Sequence, residues 1–258
     1  MNAFVPGINV NTHGFEHCRN IADGSVILLA SGASARTFPL HEFAQVPVIA
    51  MNGSIAMLQD NGIDPFFYAC TDKDFPRQQP ALFADAMRCS QRVALWEEMP
   101  RAEHAPPRGE VYWLSKARNL TFLQTLLRKQ ESLVRNPNSL DKRTRSIGFS
   151  LDLEQGFFDA RTVAFLALQL AYHVGFRQVF MVGVDLDQAA GRFYEDDDSE
   201  RSPCGLDQHF ETRILPSLKL MAERVVGERF RVYNLSANSR IPDDVIPKID
   251  VQTMRSML

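Results

Sequence analysis

The sequence has little cysteine, and what it has is unpaired in motif. Cys18, Cys70, Cys89 and Cys204 are scattered over 258 residues with no CxxC. Such spacing excludes a disulfide framework and a zinc ribbon, and reads as reduced thiols in a core. Positive charge is not in excess either. The 28 Lys and Arg stand against 31 Asp and Glu, a net charge of −3, which argues against a general nucleic-acid binder. No apolar run approaches the ~20 residues that span a bilayer. The amino-terminal MNAFVPGINVN lacks the basic and apolar regions of a signal peptide. The chain is therefore expected in the cytoplasm, at most peripheral to a membrane. Also missing are GxGxxG and GxxxxGKS/T, so the usual dinucleotide and P-loop readings have no support.

What is present is an alternation of apolar runs. With 45% hydrophobic and 23% charged residues, the chain can bury a core without staples as one domain over 1–258. Val26–Ala30 reads as a buried strand, Val48–Met51 as a second, and the run 66–75 as a third. Residues 92–97 and 110–115 supply a fourth and fifth. A short helix follows the second strand and is closed by Asn61-Gly62, with Asp64-Pro65 beyond, as helix stop signals should be. The longest helical pattern, 160–174, is stopped by Gly175 and leads into a strand over 177–186. A helix over 214–225 then precedes a strand over 230–236. Alternating strands and helices predict an α/β fold with a mostly parallel sheet.

Five strands end in small or polar residues. They are Ser31-Gly32-Ala33-Ser34, Asn52-Gly53-Ser54, Thr71-Asp72, Gly183-Val184-Asp185 and Asn234-Leu235-Ser236. In an open parallel sheet the ligand crevice lies outside the carboxyl ends of the strands. Each turn alone is ordinary turn chemistry, and Asp185 could be a helix N-cap. Together they predict a site. The Ser31–Ser34 turn can offer backbone N–H groups to a phosphate, and Asn52 and Asp72 can hydrogen-bond a ribose or base. The reading from these residues is a nucleotide held without a P-loop lysine.

Three stretches carry a resemblance. AMNGSIAMLQDNGIDPFFYACTD (50–72), GVDLDQAAGRFYEDD (183–197) and YNLSANSRIPDDVIPKI (233–249) are together similar to the lipopolysaccharide core-biosynthesis enzymes of the WaaZ/RfaZ type. Those transfer a third Kdo (3-deoxy-D-manno-oct-2-ulosonic acid) to the inner core. The likeness runs from about Val26 to about Ile249. The layout more distantly resembles the bacterial CMP-sialic-acid-dependent sialyltransferases, with their Gly/Ser-rich first turn, asparagine after the second strand and Gly-x-Asp strand end. Both resemblances imply a CMP-activated 2-keto-3-deoxy sugar acid as donor, CMP-Kdo in the first case. Both imply a single Rossmann-like, GT-A-like domain with a lid.

Residue by residue, the sialyltransferase-like pattern implies that Gly32 and Ser34 approach the CMP phosphate. Asn52, in the Asn52-Gly53-Ser54 turn, contacts the nucleotide, and Thr71 or Asp72 lies beside it. Thr162 faces the donor, although Val163-Ala164 stands where those enzymes have Ser-Gly. Tyr194 supports the leaving phosphate. His209 is the candidate general base, with Asp185 and Asp72 as alternatives, and Arg161 or Arg192 meets the donor carboxylate. The resemblance further implies inversion by direct displacement, with no metal or cofactor required. A CMP-sugar has one phosphate and therefore no diphosphate to bridge. The implied acceptor is the lipopolysaccharide inner core, and the sialyltransferases suggest a homo-oligomer. The alternatives are an enzyme using another CMP-nonulosonate and a non-catalytic nucleotide-binding protein of this fold.

Other features read more plainly. The acidic run 195–200 fits a solvated loop within a lid over 188–208. The segment 116–145 is locally basic and contains a helix-like apolar stripe over 119–134. It is either an amphipathic helix on the domain or a surface for anionic lipid at the inner membrane. His13 and His17 flank Gly14 in a stretch expected to be poorly ordered. His173 suits a helix end, and His41 and His104 fall in connections. Trp96 and Trp113 suit core or edge-strand positions, and 100–110 a surface loop.

Overall fold

The computed structural model describes residues 10–99, 106–118, 132–135, 146–195 and 205–258. Ten strands are found among them. These are β1 (Thr12–His13), β2 (Ser25–Leu29), β3 (Val48–Met51), β4 (Phe67–Cys70), β5 (Arg92–Trp96), β6 (Glu110–Leu114), β7 (Leu133–Arg135), β8 (Gly148–Ser150), β9 (Gln178–Val182) and β10 (Arg231–Asn234). Eight form one sheet in the order β1-β6-β5-β4-β3-β2-β9-β10, and every pairing in it is parallel. Strands β7 and β8 form a separate antiparallel pair. The sheet is parallel because the sequence supplies short apolar runs with no polar alternation. Val26–Leu29, Val48–Ala50 and Phe67–Cys70 are all within 1% of complete burial, as strands covered on both faces must be.

The helices are α1 (Ile55–Asp60), α2 (Phe75–Gln78), α3 (Pro80–Cys89), α4 (Val163–Val174), α5 (Leu206–His209), α6 (Leu215–Arg224) and α7 (Val251–Met257). Helix α4 is apolar nearly all round and packs on β2, β3, β4 and β8. That pattern marks a helix at the centre of a domain. It starts three residues later than its apolar pattern suggests. Arg161 has φ +66° and Thr162 is extended, so Thr162 becomes the N-cap and its Oγ1 accepts from the Ala164 N–H at 3.3 Å. Gly175, at φ +105°, closes it in the left-handed region that glycine tolerates.

Two polar side chains of α4 tie it to the rest of the fold. The buried Gln169 Oε1 accepts from the N–H groups of Ser150 (3.0 Å) and Phe158 (2.9 Å), and its Nε2 donates to the Phe158 and Phe165 carbonyls. The buried His173 Nδ1 accepts from the Leu153 N–H at 3.2 Å, so the ring proton sits on Nε2 and is donated to the Phe15 carbonyl at 2.8 Å. The helix-end role expected of His173 is thus replaced by a clamp between the 153 and 15 segments.

Seven strands were legible as apolar runs. Helices α3 and α7 were not, nor were the short strands β1, β7 and β8. The helix-like stripe over 119–134 ends differently from its pattern, since Leu133 and Val134 lie in β7. The rest of that stripe lies outside the described residues. So do most of the basic segment, most of the 100–110 loop with His104, Cys204, and the acidic run beyond Glu195. Among the described residues, no helix is long and apolar enough to cross a membrane.

Burial lowers the proton affinity of His173, against the opposing pull of the Phe15 carbonyl and Asp152, while Arg19 adds to the lowering. The imidazole is therefore held neutral in the fold, whereas the unfolded chain takes up its proton near pH 6.5. Stability from this residue is complete above about pH 6.5 and falls as the pH drops toward the lower folded value. Urea unfolding should show a lower midpoint at about pH 5.5 than at about pH 7.5. His173→Gln, which removes the titration, should flatten that difference; an unchanged pH dependence would refute the assignment.

Candidate functional site

The chain builds β2 to β6 outward in one direction and then returns to add β9 and β10 on the other side of β2. The order reverses between β2 and β9. At such a reversal the connections leave on opposite sides and open a crevice at the carboxyl ends of the strands. A cleft of about 850 Å³ lies there. Its walls are the turns after β2, β3, β4 and β9, the start of α4, and the segment around His209.

The floor is set by contacts between strand ends. The Gly32 N–H donates to the Gly183 carbonyl at 2.9 Å. A Cβ on Gly32 would lie 2.5 Å from that oxygen and 2.6 Å from Asp185 Oδ2, so only glycine permits the approach. Asp185, buried after β9, accepts from the Ser34 N–H at 3.0 Å and from the Ser34 hydroxyl. In that second bond the Ser34 hydroxyl is the donor and Asp185 Oδ1 the acceptor. The Ser34 oxygen is then left to accept from the Ser236 hydroxyl at 2.8 Å. The Ser236 oxygen in turn accepts from the Val184 N–H at 3.1 Å. One chain of hydrogen bonds thus locks the ends of β2, β9 and β10.

This geometry changes the expectation for the first turn. The N–H groups of Gly32 and Ser34 are engaged within the protein, so they are not the phosphate cradle predicted for them. Gly32 lines the cleft, whereas Ser34 lies beneath its lining. Asp185 lines it too, but its carboxylate already serves Ser34, a poor position for a general base. Ser54 is fully buried; its Oγ accepts from the Met51 N–H at 2.9 Å and lies outside the lining. Gly53 sits under Tyr194, where an added Cβ would fall 2.0 Å from a ring carbon. Tyr194 packs there outside the lining, and burial pushes its phenol up to about 12.

Asn52, Thr71, Asp72, Arg161, Thr162, Arg192 and His209 line the cleft together. Of the four non-glycine residues with positive φ among the described residues, three, Asn52 (+48°), Arg161 (+66°) and Leu186 (+54°), are in this set of walls. Each costs of order 1–3 kcal/mol, and such strain gathers where a fold holds side chains for a ligand. The buried Oδ1 of Asn52 has no hydrogen-bond partner among the described residues. The Thr162 Oγ1 caps α4 and keeps its hydroxyl proton available. Asp72 Oδ1 accepts from the Asp74 N–H at 3.0 Å. The half-buried His209 imidazole makes no hydrogen bond among the described residues, and it precedes a π-helical turn, Phe210–Ile214.

Arg192 and Tyr194 belong to a segment anchored to the first turn. Gly32 and Arg192 form an antiparallel bridge, the Phe193 N–H donates to the Ser31 carbonyl at 3.0 Å, and Arg192 pairs with Glu195 at 2.7 Å. The described beginning of the expected lid is therefore docked on the site. Sequence reasoning missed the opposite wall: Lys73, Trp96, Lys116 and Asp159. Lys116 lies 2.8 Å from Asp159 and 5.1 Å from the Trp96 ring. Burial raises the Asp159 carboxyl, but Lys116 and the Arg161 N–H, which it accepts at 2.8 Å, hold it below the usual range. The spacing Asp159-x-Arg161 was the one available signal, and it has meaning only once Arg161 is seen to be left-handed.

In open parallel α/β sheets, a cleft at the switch point outside the strand ends is where ligands bind. The family model for "3-deoxy-D-manno-octulosonic acid transferase WaaZ" matches residues 15–105 and 110–252, and the chain belongs to that family. A protein named a probable 3-deoxy-manno-octulosonic acid transferase from Escherichia coli K12 is 30% identical over 251 residues, covering 90% of this chain and 85% of its own. One of the same name from Salmonella typhimurium LT2 is 28% identical, covering 86% of each. A solved structure titled MAf glycosyltransferase from Magnetospirillum magneticum AMB-1 is similar at a TM-score of 0.49 and 15% identity. It covers 91% of this chain and 34% of that one.

If the strand-end lock sets the floor, disturbing it should cost stability before chemistry. Gly32→Ala forces a methyl against backbone and should destabilise by about 1–3 kcal/mol. Asp185→Ala strands the Ser34 N–H and should cost a similar ~1–3 kcal/mol. Urea titrations of both variants check this, and wild-type midpoints would show that the contacts carry no weight.

Proposed function

We propose that this chain moves Kdo from CMP-Kdo to the inner core of lipopolysaccharide, as an inverting glycosyltransferase. Membership of the Kdo transferase family gives the sugar. The observation that carries the reading to this cleft is Asn52, held in a left-handed conformation with a buried Oδ1 that lacks a partner among the described residues. Such an oxygen is an acceptor waiting for a donor, and the amino group of cytosine or a ribose hydroxyl supplies one.

The chemistry joins the acceptor hydroxyl oxygen to the anomeric carbon of Kdo. The bond from that carbon to the CMP phosphate breaks, and its electron pair leaves on the phosphate. The acceptor's proton passes to a base, and His209, without a hydrogen bond among the described residues and on the cleft wall, serves for it. The transition state is oxocarbenium-like, and both the carboxylate of Kdo and the departing phosphate are anions. The start of α4 faces them with Thr162, Val163 and Ala164. Its dipole contributes a favourable partial charge of about half an elementary unit. Arg161, with no ion pair among the described residues, meets the Kdo carboxylate. Arg192 and the Thr162 hydroxyl meet the phosphate, with Tyr194 supporting that wall from beneath. These donors are preorganised, which is the largest single source of such catalysis. One phosphate needs no bridging metal, so the reaction is expected to run without one. Thr71 and Asp72 border the nucleotide. The acceptor enters from the Lys73, Trp96 and Lys116 side. The enzyme works in the cytoplasm at the inner-membrane face, where its acceptor is made.

Binding by calorimetry should show CMP taken up without Mg²⁺ in preference to UDP or NAD. His209→Ala should lower kcat for transfer from CMP-Kdo by about 10²–10⁴-fold with CMP affinity little changed. Arg161→Gln should chiefly raise the donor KM. Preference for UDP or NAD would overturn the donor, and near-normal turnover of His209→Ala would remove it as the base.

A further inference from the structure

At the opposite end of the sheet from the cleft, His13 and His17 are not loose. Strand β1 pairs in parallel with β6, with His13 opposite Tyr112. Paired residues and those two apart share a face of a sheet, so His13, Tyr112 and Glu110 stand on the same side. The turn Phe15–Cys18 then brings the His17 ring to 4.1 Å from that of His13, stacked at 11°. The ligand atoms of His13, His17 and Glu110 all lie within 4.8 Å of one another.

We propose that these three side chains form a divalent metal site of the zinc class, which staples the two-residue strand β1 to the edge of the sheet. Nothing in the Kdo-transfer reading uses these residues, and none lines the cleft.

Three features go beyond proximity. The buried Nε2 of His13 has no hydrogen-bond partner among the described residues. Glu110 is held from behind, since its Oε2 accepts from the Tyr112 hydroxyl at 2.7 Å and from Arg92 Nε at 3.1 Å. Its other oxygen, Oε1, is thereby turned to His17, 3.8 Å from Nε2. This is how outer partners orient a ligating carboxylate. Around tetrahedral zinc, with bonds of about 2.0–2.1 Å to nitrogen and oxygen, ligand atoms stand roughly 3.4 Å apart. An imidazole lone pair lies in the ring plane, so binding turns the His17 ring out of its stack on His13 and draws the three ligand atoms together from within 4.8 Å; His17, with 54% of its side chain exposed, is free to make that turn. Two imidazoles and one carboxylate suit Zn²⁺ over Mg²⁺ or Ca²⁺, which prefer all-oxygen sets. The fourth position opens to water. Arg92 on the far oxygen opposes the cation, so the site is weaker than a closed four-ligand one.

Zinc alone is the probe. Calorimetric titration of the full chain with Zn²⁺ should give one ion per chain and a raised unfolding temperature. Co²⁺ should give tetrahedral visible bands without sulfur charge-transfer absorption. His17→Ala, an exposed substitution, should weaken binding at least ~10-fold, and Glu110→Gln should do likewise. Cys89→Ser, at the half-exposed thiol, should leave binding intact. Absence of a stoichiometric ion, binding unchanged in both His17→Ala and Glu110→Gln, or binding lost with the thiol would each overturn the site. CMP binding is read separately on the same proteins, so a failed donor reading and a failed metal site are distinguishable.

Discussion

The buried Asp185 carboxylate and the Ser34 side chain it holds decide where the working surface of this protein lies. The two are 151 positions apart in sequence, at the ends of neighbouring strands that run the same way. A parallel sheet presents its strand ends as a row of loops with no hairpins to fix them. Without a tie at the switch point, the loops after β2 and β9 would splay. The ordered run of hydrogen bonds from Val184 through Ser236 and Ser34 to Asp185 supplies the tie and brings β10 into it. Gly32 is the steric condition for it, because any side chain there meets the Gly183 carbonyl.

Once the floor is fixed, strain becomes affordable at its rim. Asn52, Arg161 and Leu186 adopt a conformation that costs each of them energy, and each is flanked by contacts strong enough to impose it. Asp159 accepts the Arg161 N–H, and Thr162 caps α4 directly behind it. The result is a division of labour. Residues of the floor make their hydrogen bonds to the protein. Those of the rim, Asn52, Arg161 and His209, keep donors or acceptors in hand.

This division also explains how much was legible beforehand. The inner strands were readable because a strand buried on both faces is a plain apolar run, as β2, β3, β4, β5 and β9 are. The gathering of small and polar residues at their ends pointed to the edge of the sheet where the cleft lies. What could not be read was which of those residues face the ligand. Ser34 and Asp185 look like site residues in sequence because they sit at strand ends, yet they face each other. Arg161 looked like the first turn of a helix, and only the backbone reveals that it stands outside it. Short elements such as β1 have too few residues to show a period, so His13 and His17 seemed to belong to a loose terminus. Their positions follow instead from the pairing with β6. Helix α7 was signalled only by Asp250, whose carboxylate accepts the Thr253 N–H at 2.7 Å.

Both ends of the sheet then obey one rule. At the carboxyl end, parallel strands leave loops that need a lock, and side-chain hydrogen bonds between distant segments provide it. At the β6 edge, a two-residue strand has too few ladder bonds to hold itself. Its side chains carry the burden: Phe15 takes the His173 N–H and packs on Tyr112, while the two histidines converge on Glu110. In each place the backbone alone under-determines the structure, and polar side chains with specific partners complete it. The cleft gathers polar groups left in this way, Asn52 Oδ1 and the His209 imidazole without hydrogen-bond partners and Arg161 without an ion pair among the described residues, over a locked floor.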